Sequence, residues 1–223
     1  MIEILYKNRD FIVCIKPPGV PSQSDTSADT DMTALLKEQL RSENESDDIF
    51  VVHRLDRATG GLILYARNKN AAAVFSSLVA EKDGFEKHYL TIVSGAPENK
   101  CGSMEDYLYK DSTQKKAFIV KNERKGAKLA SLDYEVVDTF TQADKSFSLV
   151  SVNLHTGRFH QIRAQFSSRG MSIYGDGKYG SREKAPYFAL WANKISFTYK
   201  GKHYEFEKAP DFTSSPWNLF NKA

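Results

Sequence analysis

Between Phe85 and Glu207 the chain is written mostly in strand-length segments. Phe85 to Ser94, Lys116 to Val120, Lys128 to Val137, Ser146 to Leu154, Phe188 to Ala192, Ile195 to Tyr199 and Tyr204 to Glu207 all read as extended. Hairpin-length links dominate among them. A parallel pair needs a crossover of about a dozen residues or more, usually a helix, so short links force antiparallel neighbours. Alternation supports the assignment, because Ser148, Val150, Val152 and Leu154 fall on one face of their segment. The expected class is α+β: a mixed, largely antiparallel central sheet with flanking helices and loops, in a single domain over residues 1–223.

Glu3 to Ile15 reads as two short extended segments around KNRD. Lys16-Pro17-Pro18-Gly19 stops the second, FIVCI, because prolines deny a ladder its N–H groups. A helix is predicted over Asp31 to Arg41, with Met32, Leu35, Leu36 and Leu40 on one face and Asp29 and Thr30 as caps. Ser42 to Asp48, SENESDD, reads as a solvated acidic loop. Strands are predicted at Ile49 to Val52 and Gly61 to Ala66, then a helix over Asn70 to Lys82 with Val74, Phe75, Leu78 and Val79 inward. Phe159 to Ser168 fits a helix ended by Gly170, and Ser215 to Phe220 a last helical turn. The 41% of hydrophobic residues is enough for a core. The net charge of +3 permits a polyanionic partner without demanding one. Cys14 and Cys101 are far apart and match neither a disulfide framework nor a zinc site. The start, MIEILYKNRD, carries charges early, and no window reaches membrane-spanning length. The cytoplasm is the expected compartment, with no membrane partner.

The stretch VVHRLDRATGG, Val51 to Gly61, sets one carboxylate, Asp56, between Arg54 and Arg57, after His53 and ahead of two glycines. It follows a strand end, so Asp56 sits on a loop at a sheet edge or cleft, where catalytic groups concentrate. Spacing alone favours a structural ion pair with Arg54 or Arg57. A second cluster, LHTGRFHQIRAQFSSRG, places Arg158, His160 and Arg163 around a strand-to-helix turn. On a helix, His160 and Arg163 share a face. Such an N-terminus offers N–H groups and guanidinium forks to an anion, and a solvated basic helix end is the plainer alternative. In EKHYLTIVSG, Lys87 and Tyr89 point to one face of a strand. Tyr89 has a ring to stack on a planar ligand, or is an ordinary tyrosine of a half-buried sheet. GDGKYG, Gly175 to Gly180, matches a dinucleotide-binding pattern by letter. The following SREKAP does not open an amphipathic helix, so a tight loop with a turn-forming Asp176 is expected instead. His53, His88, His155, His160 and His203 are scattered, and no metal is expected.

Together these motifs carry a resemblance. The chain resembles the RluA-type pseudouridine synthases. HRLDRATGG looks like that family's catalytic-aspartate motif, KHY like its Lys-x-Tyr motif, and TGRFHQIR followed by GDGKYG like its C-terminal arginine motif. IKPPGV, Ile15 to Val20, matches the family's opening Lys-Pro-x-Gly segment. The matches occur in the family's order from about Val13 to Gly180. Gly60 stands where Ser is usual, Gln165 where His is common and Ser172 where Pro is common. The family's frequent N-terminal S4 RNA-binding domain is not expected, because the Lys-Pro segment comes almost at once.

The resemblance implies the pseudouridine synthase fold and conversion of uridine in RNA to pseudouridine. The glycosidic bond breaks, the uracil rotates, and its C5 joins the sugar, with no cofactor and no redox change. It implies Asp56 as the catalytic carboxylate, attacking ribose C1′ as nucleophile or removing a proton at C2′ to give a glycal. Arg163 is then its ion-pair partner, and Tyr89 stacks on the uracil with its hydroxyl helping to release the C5 proton. The target base is extruded from its stack, with Arg54 filling the vacated space. His53, Arg57, Lys87, Arg158, His160 and Lys178 join Arg54 as candidate RNA contacts, with Arg182 as a further basic group. The expected substrate is a stem-loop of ribosomal or transfer RNA rather than DNA, bound by a monomer. A glycoside hydrolase is the enzymatic rival; it needs a second carboxylate, for which Asp176 is the obvious candidate. A non-catalytic RNA-binding module is the rival from another class.

Overall fold

The structure, a computed structural model, describes residues 1–24, 29–81, 84–142 and 144–220. In chain order the elements are β1 (Ile4–Lys7), β2 (Phe11–Lys16), α1 (Met32–Ser42), β3 (Phe50–Val51), β4 (Gly60–Ala66), α2 (Lys69–Ala80) and β5 (Phe85–Ser94). There follow β6 (Cys101–Asp111), β7 (Lys116–Val120), β8 (Ala127–Gln142), β9 (Lys145–Leu154), α3 (Gln161–Ser168), β10 (Leu190–Tyr199) and β11 (Lys202–Glu207). Short 3-10 turns occupy Gly177–Tyr179 and Trp217–Phe220. The chain divides into two compact units. The first is Met1–Glu86 with Trp191–Lys208, and the second is Lys87–Leu190 with the chain from Ala209.

In the first unit β1–β2, β2–β4, β3–β4 and β10–β11 pair antiparallel, while β4 and β10 pair in parallel through Gly60 and Gly61 against Trp191 and Ala192. Every residue of β2 and β4 is buried, which is why both read as unbroken apolar runs rather than alternating ones. Their side chains meet Phe75 of α2, Phe85, Phe197 and Tyr199 in one core. Phe75 stacks on Tyr199 with ring centroids 4.7 Å apart.

The cap of α1 is Asp31, in place of the expected Asp29 and Thr30: its carboxylate accepts from the Thr33 N–H at 2.7 Å and the Ala34 N–H at 3.3 Å. Met32 is fully buried, so the helix has to begin where that side chain enters the core. On α2, Val74 is exposed, contrary to the expectation. The buried stripe centres on Ala71 and Phe75, with Ala72, Leu78 and Val79 packed at its sides. Val74 lies about 100° from the middle of that stripe at 3.6 residues per turn. The predicted end of this helix, Lys82, lies outside the described residues. The acidic loop is ion-paired, with Lys7 bridging Glu43 and Glu45 at 2.6 Å each and Arg41 meeting Asp47 at 2.6 Å. Two predicted strands merge into β10, because Lys194 pairs with Glu207 of β11 and carries the ladder through the polar Asn193-Lys194 step.

In the second unit β5, β9, β8, β6 and β7 follow one another in that order, all antiparallel. β5 has the predicted bounds, and Ser148, Val150, Val152 and Leu154 share the buried face of β9 as expected. β6 was not legible, because only Met104 and Leu108 of its residues are buried and no apolar period shows. α3 starts two residues later than predicted: His160 adopts a left-handed φ of 54° and cannot continue a helix backward. Gly170 ends α3 at φ 76°.

Gly61 has φ 109°, and a Cβ there would collide with the main chain of Ala192. Gly61→Ala should therefore cost at least about 3 kcal/mol in urea unfolding, combining backbone strain with a clash that main chain cannot relieve. Gly170 is also left-handed but has open space around it, so Gly170→Ala should cost about 1–2 kcal/mol. Equal losses would mean that the approach of Ala192 does not restrict position 61.

Candidate active site

In the first unit the chain leaves the sheet after β3 and returns at Gly60, and main-chain hydrogen bonds fix the loop between. The Ser22 hydroxyl accepts from the Leu55 N–H at 3.1 Å and donates to the Leu55 carbonyl at 3.0 Å. The Tyr65 hydroxyl holds Ser22 in turn, donating to its carbonyl at 2.6 Å. Thr59 N–H donates to the Asp56 carbonyl at 3.0 Å, closing a turn, and Gly19 N–H donates to the Arg57 carbonyl at 2.8 Å. Asp56, half-buried, is thus presented from a backbone fixed on both sides.

Beneath the loop lies Lys16, fully buried. Its ammonium donates to the carbonyls of Val20 at 2.7 Å, Arg57 at 2.8 Å and Pro17 at 3.1 Å. Burial pushes Lys16 down to about 7; the Asp56 carboxylate opposes that and Arg57 adds to it. The Arg57 guanidinium donates to the Gly19 carbonyl at 2.9 Å and pairs with Asp29 at 2.5 Å. Arg54 is exposed and has no hydrogen bond or ion pair among the described residues. The ion pair that spacing favoured for Asp56 is therefore formed with neither arginine. His53 accepts the Leu64 N–H at its Nε2 at 3.0 Å and packs on Phe85, which commits that nitrogen to the sheet. Gly60, which stands where serine is usual in the resembled family, faces Trp191: a Cβ there would lie 2.5 Å from the indole ring.

In the second unit the turn into α3 is built by Gln161. Its side-chain oxygen accepts from the Thr156 hydroxyl at 2.7 Å and the Arg158 N–H at 3.0 Å, and its amide donates to the Ser131 carbonyl at 3.1 Å. His160 makes no cap bond; its ring lies on Phe159 at 3.7 Å and its Nδ1 is 3.0 Å from the Tyr179 hydroxyl. His160 and Arg163 therefore do not share a helix face. Arg163 is buried and grips buried Asp176 with both Nε, at 2.7 Å, and Nη2, at 3.0 Å. The rings of Phe188 and Tyr179 stack against it at 4.3 and 4.9 Å. Tyr179 also accepts the Ala117 N–H at 2.8 Å, so the loop GDGKYG ties β7 to α3. Lys87 and Tyr89 are both buried on one face of β5, as predicted, and burial holds Lys87 below the usual lysine range. Arg158 and Lys178 are exposed; they donate to the carbonyls of Leu129 at 2.9 Å and Lys115 at 2.8 Å.

The predicted site residues thus lie in two sets. His53, Arg54, Asp56 and Arg57 belong to the first unit, and Lys87, Tyr89, Arg158, His160, Arg163 and Lys178 to the second. Sequence reasoning assigned no role to Lys16, Ser22 or Gln161. The signal for Lys16 was a lysine closing an otherwise apolar strand just before two prolines, where carbonyls lack local donors.

A model of the RNA pseudouridylate synthase family matches residues 10–168, and the chain belongs to that family. An uncharacterized RNA pseudouridine synthase of Haemophilus influenzae is 32% identical over 203 residues, 89% of this chain and 83% of its own. Another, from Aquifex aeolicus, is 32% identical over 82% of this chain and 58% of its own length. The ribosomal large subunit pseudouridine synthase C of Rickettsia bellii is 31% identical over 94% of this chain and 69% of its own. The chain therefore spans little more than half of the Aquifex relative and most of the other two. The solved human RNA pseudouridylate synthase domain containing 1 has the same fold, with a TM-score of 0.77 at 23% identity over 95% of this chain and 84% of that one.

Two measurements test this geometry. Asp56→Asn removes a charge that raises the Lys16 pKa, so Lys16 should titrate below about 7, read from the 13Cε shift of labelled lysine. An unmoved titration would mean that Asp56 and Lys16 do not interact. Arg163→Ala leaves Asp176 buried and uncompensated, and should cost about 3–5 kcal/mol in urea unfolding. Arg158→Ala, at an exposed site, should cost less than about 1 kcal/mol, and a reversed order would remove the Arg163–Asp176 pair from its structural role.

Proposed function

We propose that this chain isomerises uridine in structured RNA to pseudouridine, acting as a monomer in the cytoplasm with Asp56 as the reacting carboxylate. The observation that carries the reading is the Asp56 loop: a half-buried carboxylate held on a pinned main chain, with the charge of Lys16 beneath it. An acid used in a simple surface ion pair needs no such support. Family membership supplies the reaction class.

Asp56 either attacks ribose C1′ or takes the C2′ proton, and both routes start from a fixed carboxylate. Tyr89 stacks on the uracil, and its hydroxyl helps to release the C5 proton. Arg163, held in one orientation by Asp176, supplies positive charge to the reaction. Arg54 takes the place of the extruded base, and its exposure suits that role. A hydrolase reading is weaker, because both oxygens of Asp176 already accept guanidinium N–H groups, an arrangement for an acceptor and not for a proton donor. The name of the Rickettsia bellii relative supports ribosomal RNA as the substrate.

Asp56→Asn, nearly isosteric, should abolish conversion of uridine while leaving unfolding and RNA affinity close to those of the parent. Turnover retained by this variant would make Asp56 structural. The substrate is tested with RNAs of equal length and composition, one a hairpin with its uridine in the loop and one a perfect duplex. Loop uridines escape most of the unstacking cost, so the hairpin should react faster. Faster reaction of the duplex would sink the stem-loop assignment.

A further inference from the structure

Residues 110–128 hold seven Lys or Arg against two acids, Asp111 and Glu123. Their excess of five is larger than the +3 of the whole chain, so everything outside this segment sums to net −2. The segment runs from the end of β6 through β7 to the start of β8, a β-hairpin with its outer flank.

Several cations elsewhere are matched to carboxylates. Lys7, Arg41, Arg57, Lys194, Lys200 and Lys208 each meet a carboxylate within 2.9 Å. Among the described residues, no cation of the hairpin has such a partner. Of its two acids, Asp111 is taken by the hairpin turn, accepting from the N–H and side-chain amide of Gln114 at 2.9 and 3.1 Å. Three of the seven lie over rings instead: Lys110 is 4.8 Å from the centre of Phe159, Lys116 is 4.8 Å from Tyr179, and Arg124 is 4.5 Å from Tyr109. Through Phe159 and Tyr179, and through Lys178 on the Lys115 carbonyl, the hairpin is continuous with the turn into α3.

Like charges held together without counter-ions repel, and a polyanion relieves that repulsion while releasing its own counter-ions. We propose that the β6–β7 hairpin and its link to β8 form the docking surface for the sugar-phosphate backbone of an RNA stem. This rests on the reading of the substrate as structured RNA. The surface supplies salt-dependent affinity and orientation, and it reads no bases.

The test compares triple variants that lose equal charge. One is Lys121→Gln with Arg124→Gln and Lys125→Gln, all exposed on the link after β7. The control is Lys69→Gln with Lys100→Gln and Lys202→Gln, exposed elsewhere. Binding of a fluorescein-labelled RNA hairpin with a loop uridine is followed by anisotropy across a salt series. The link variant should bind about tenfold more weakly or worse at low salt, with its log–log salt slope flatter by about two to three. The control should stay within about twofold of the parent. Equal effects of the two variants, no effect of the link variant, or no binding by the parent overturns the proposal and leaves a basic surface for some other acidic partner. Isomerisation of the same RNA by the parent is measured separately. A parent that binds through the hairpin but does not isomerise defeats the proposed reaction and upholds the docking surface.

Discussion

The three hydrogen bonds of the Lys16 ammonium hold together the backbone that presents Asp56. Pro17 and Pro18 remove two N–H donors just where the chain turns away from β2. The carbonyls of Pro17, Val20 and Arg57 then point inward, where an unmatched acceptor is costly. An ammonium carries three N–H groups and no acceptor, which matches that set of carbonyls. Burial works against the charged form, and the nearby Asp56 carboxylate works for it. The residue proposed to react is thus part of the electrostatic balance around its own platform, and a neutral substitute there shifts the titration of Lys16 as well as removing the reacting group.

The second unit solves a similar problem with different groups. His160 enters α3 in a left-handed conformation and offers no cap, so the turn depends on Gln161 reaching back from inside the helix. One turn further on, Arg163 and Asp176 form a buried ion pair. Such pairs add little net stability compared with apolar packing, yet breaking one is expensive. Their effect is on position: bonds at two guanidinium nitrogens and two flanking rings leave Arg163 a single orientation. A cation meant to act at a fixed point needs that restriction more than it needs the energy.

Much of this was legible in the sequence wherever the signal was local. The bounds of β5, the buried face of β9 and the glycine pair that opens β4 follow from alternation and from residue type. Failures came where a partner distant in sequence decided the outcome. β6 carries few buried residues because its ladder partners, and not its own side chains, make it a strand. Val74 looked inward by type and lies outward by angle. Asp176 read as a turn residue, and it is one, but its pairing with Arg163 spans thirteen residues that no periodicity links. The motif residues were singled out because they cluster by type, while Lys16 left only the local cue of a lysine ahead of two prolines and Gln161 acts through hydrogen bonds that leave no periodic pattern.

Net charge illustrates the same limit. A total of +3 suggests a nearly neutral surface, and it is the sum of a strongly basic hairpin and a remainder that is slightly acidic. Cations already matched to carboxylates, such as Lys7 with Glu43 and Glu45, would have to break those bonds to meet a phosphate. The hairpin cations have no such competitor among the described residues, so their field is directed outward. Solvent-exposed charges farther apart than a Debye length, about 8 Å at physiological salt, are largely screened from one another. Local clustering therefore decides what a polyanion meets, and the total decides very little. A protein of modest overall charge can in this way keep its strongest attraction on one small surface, where it orients a bound strand as well as holding it.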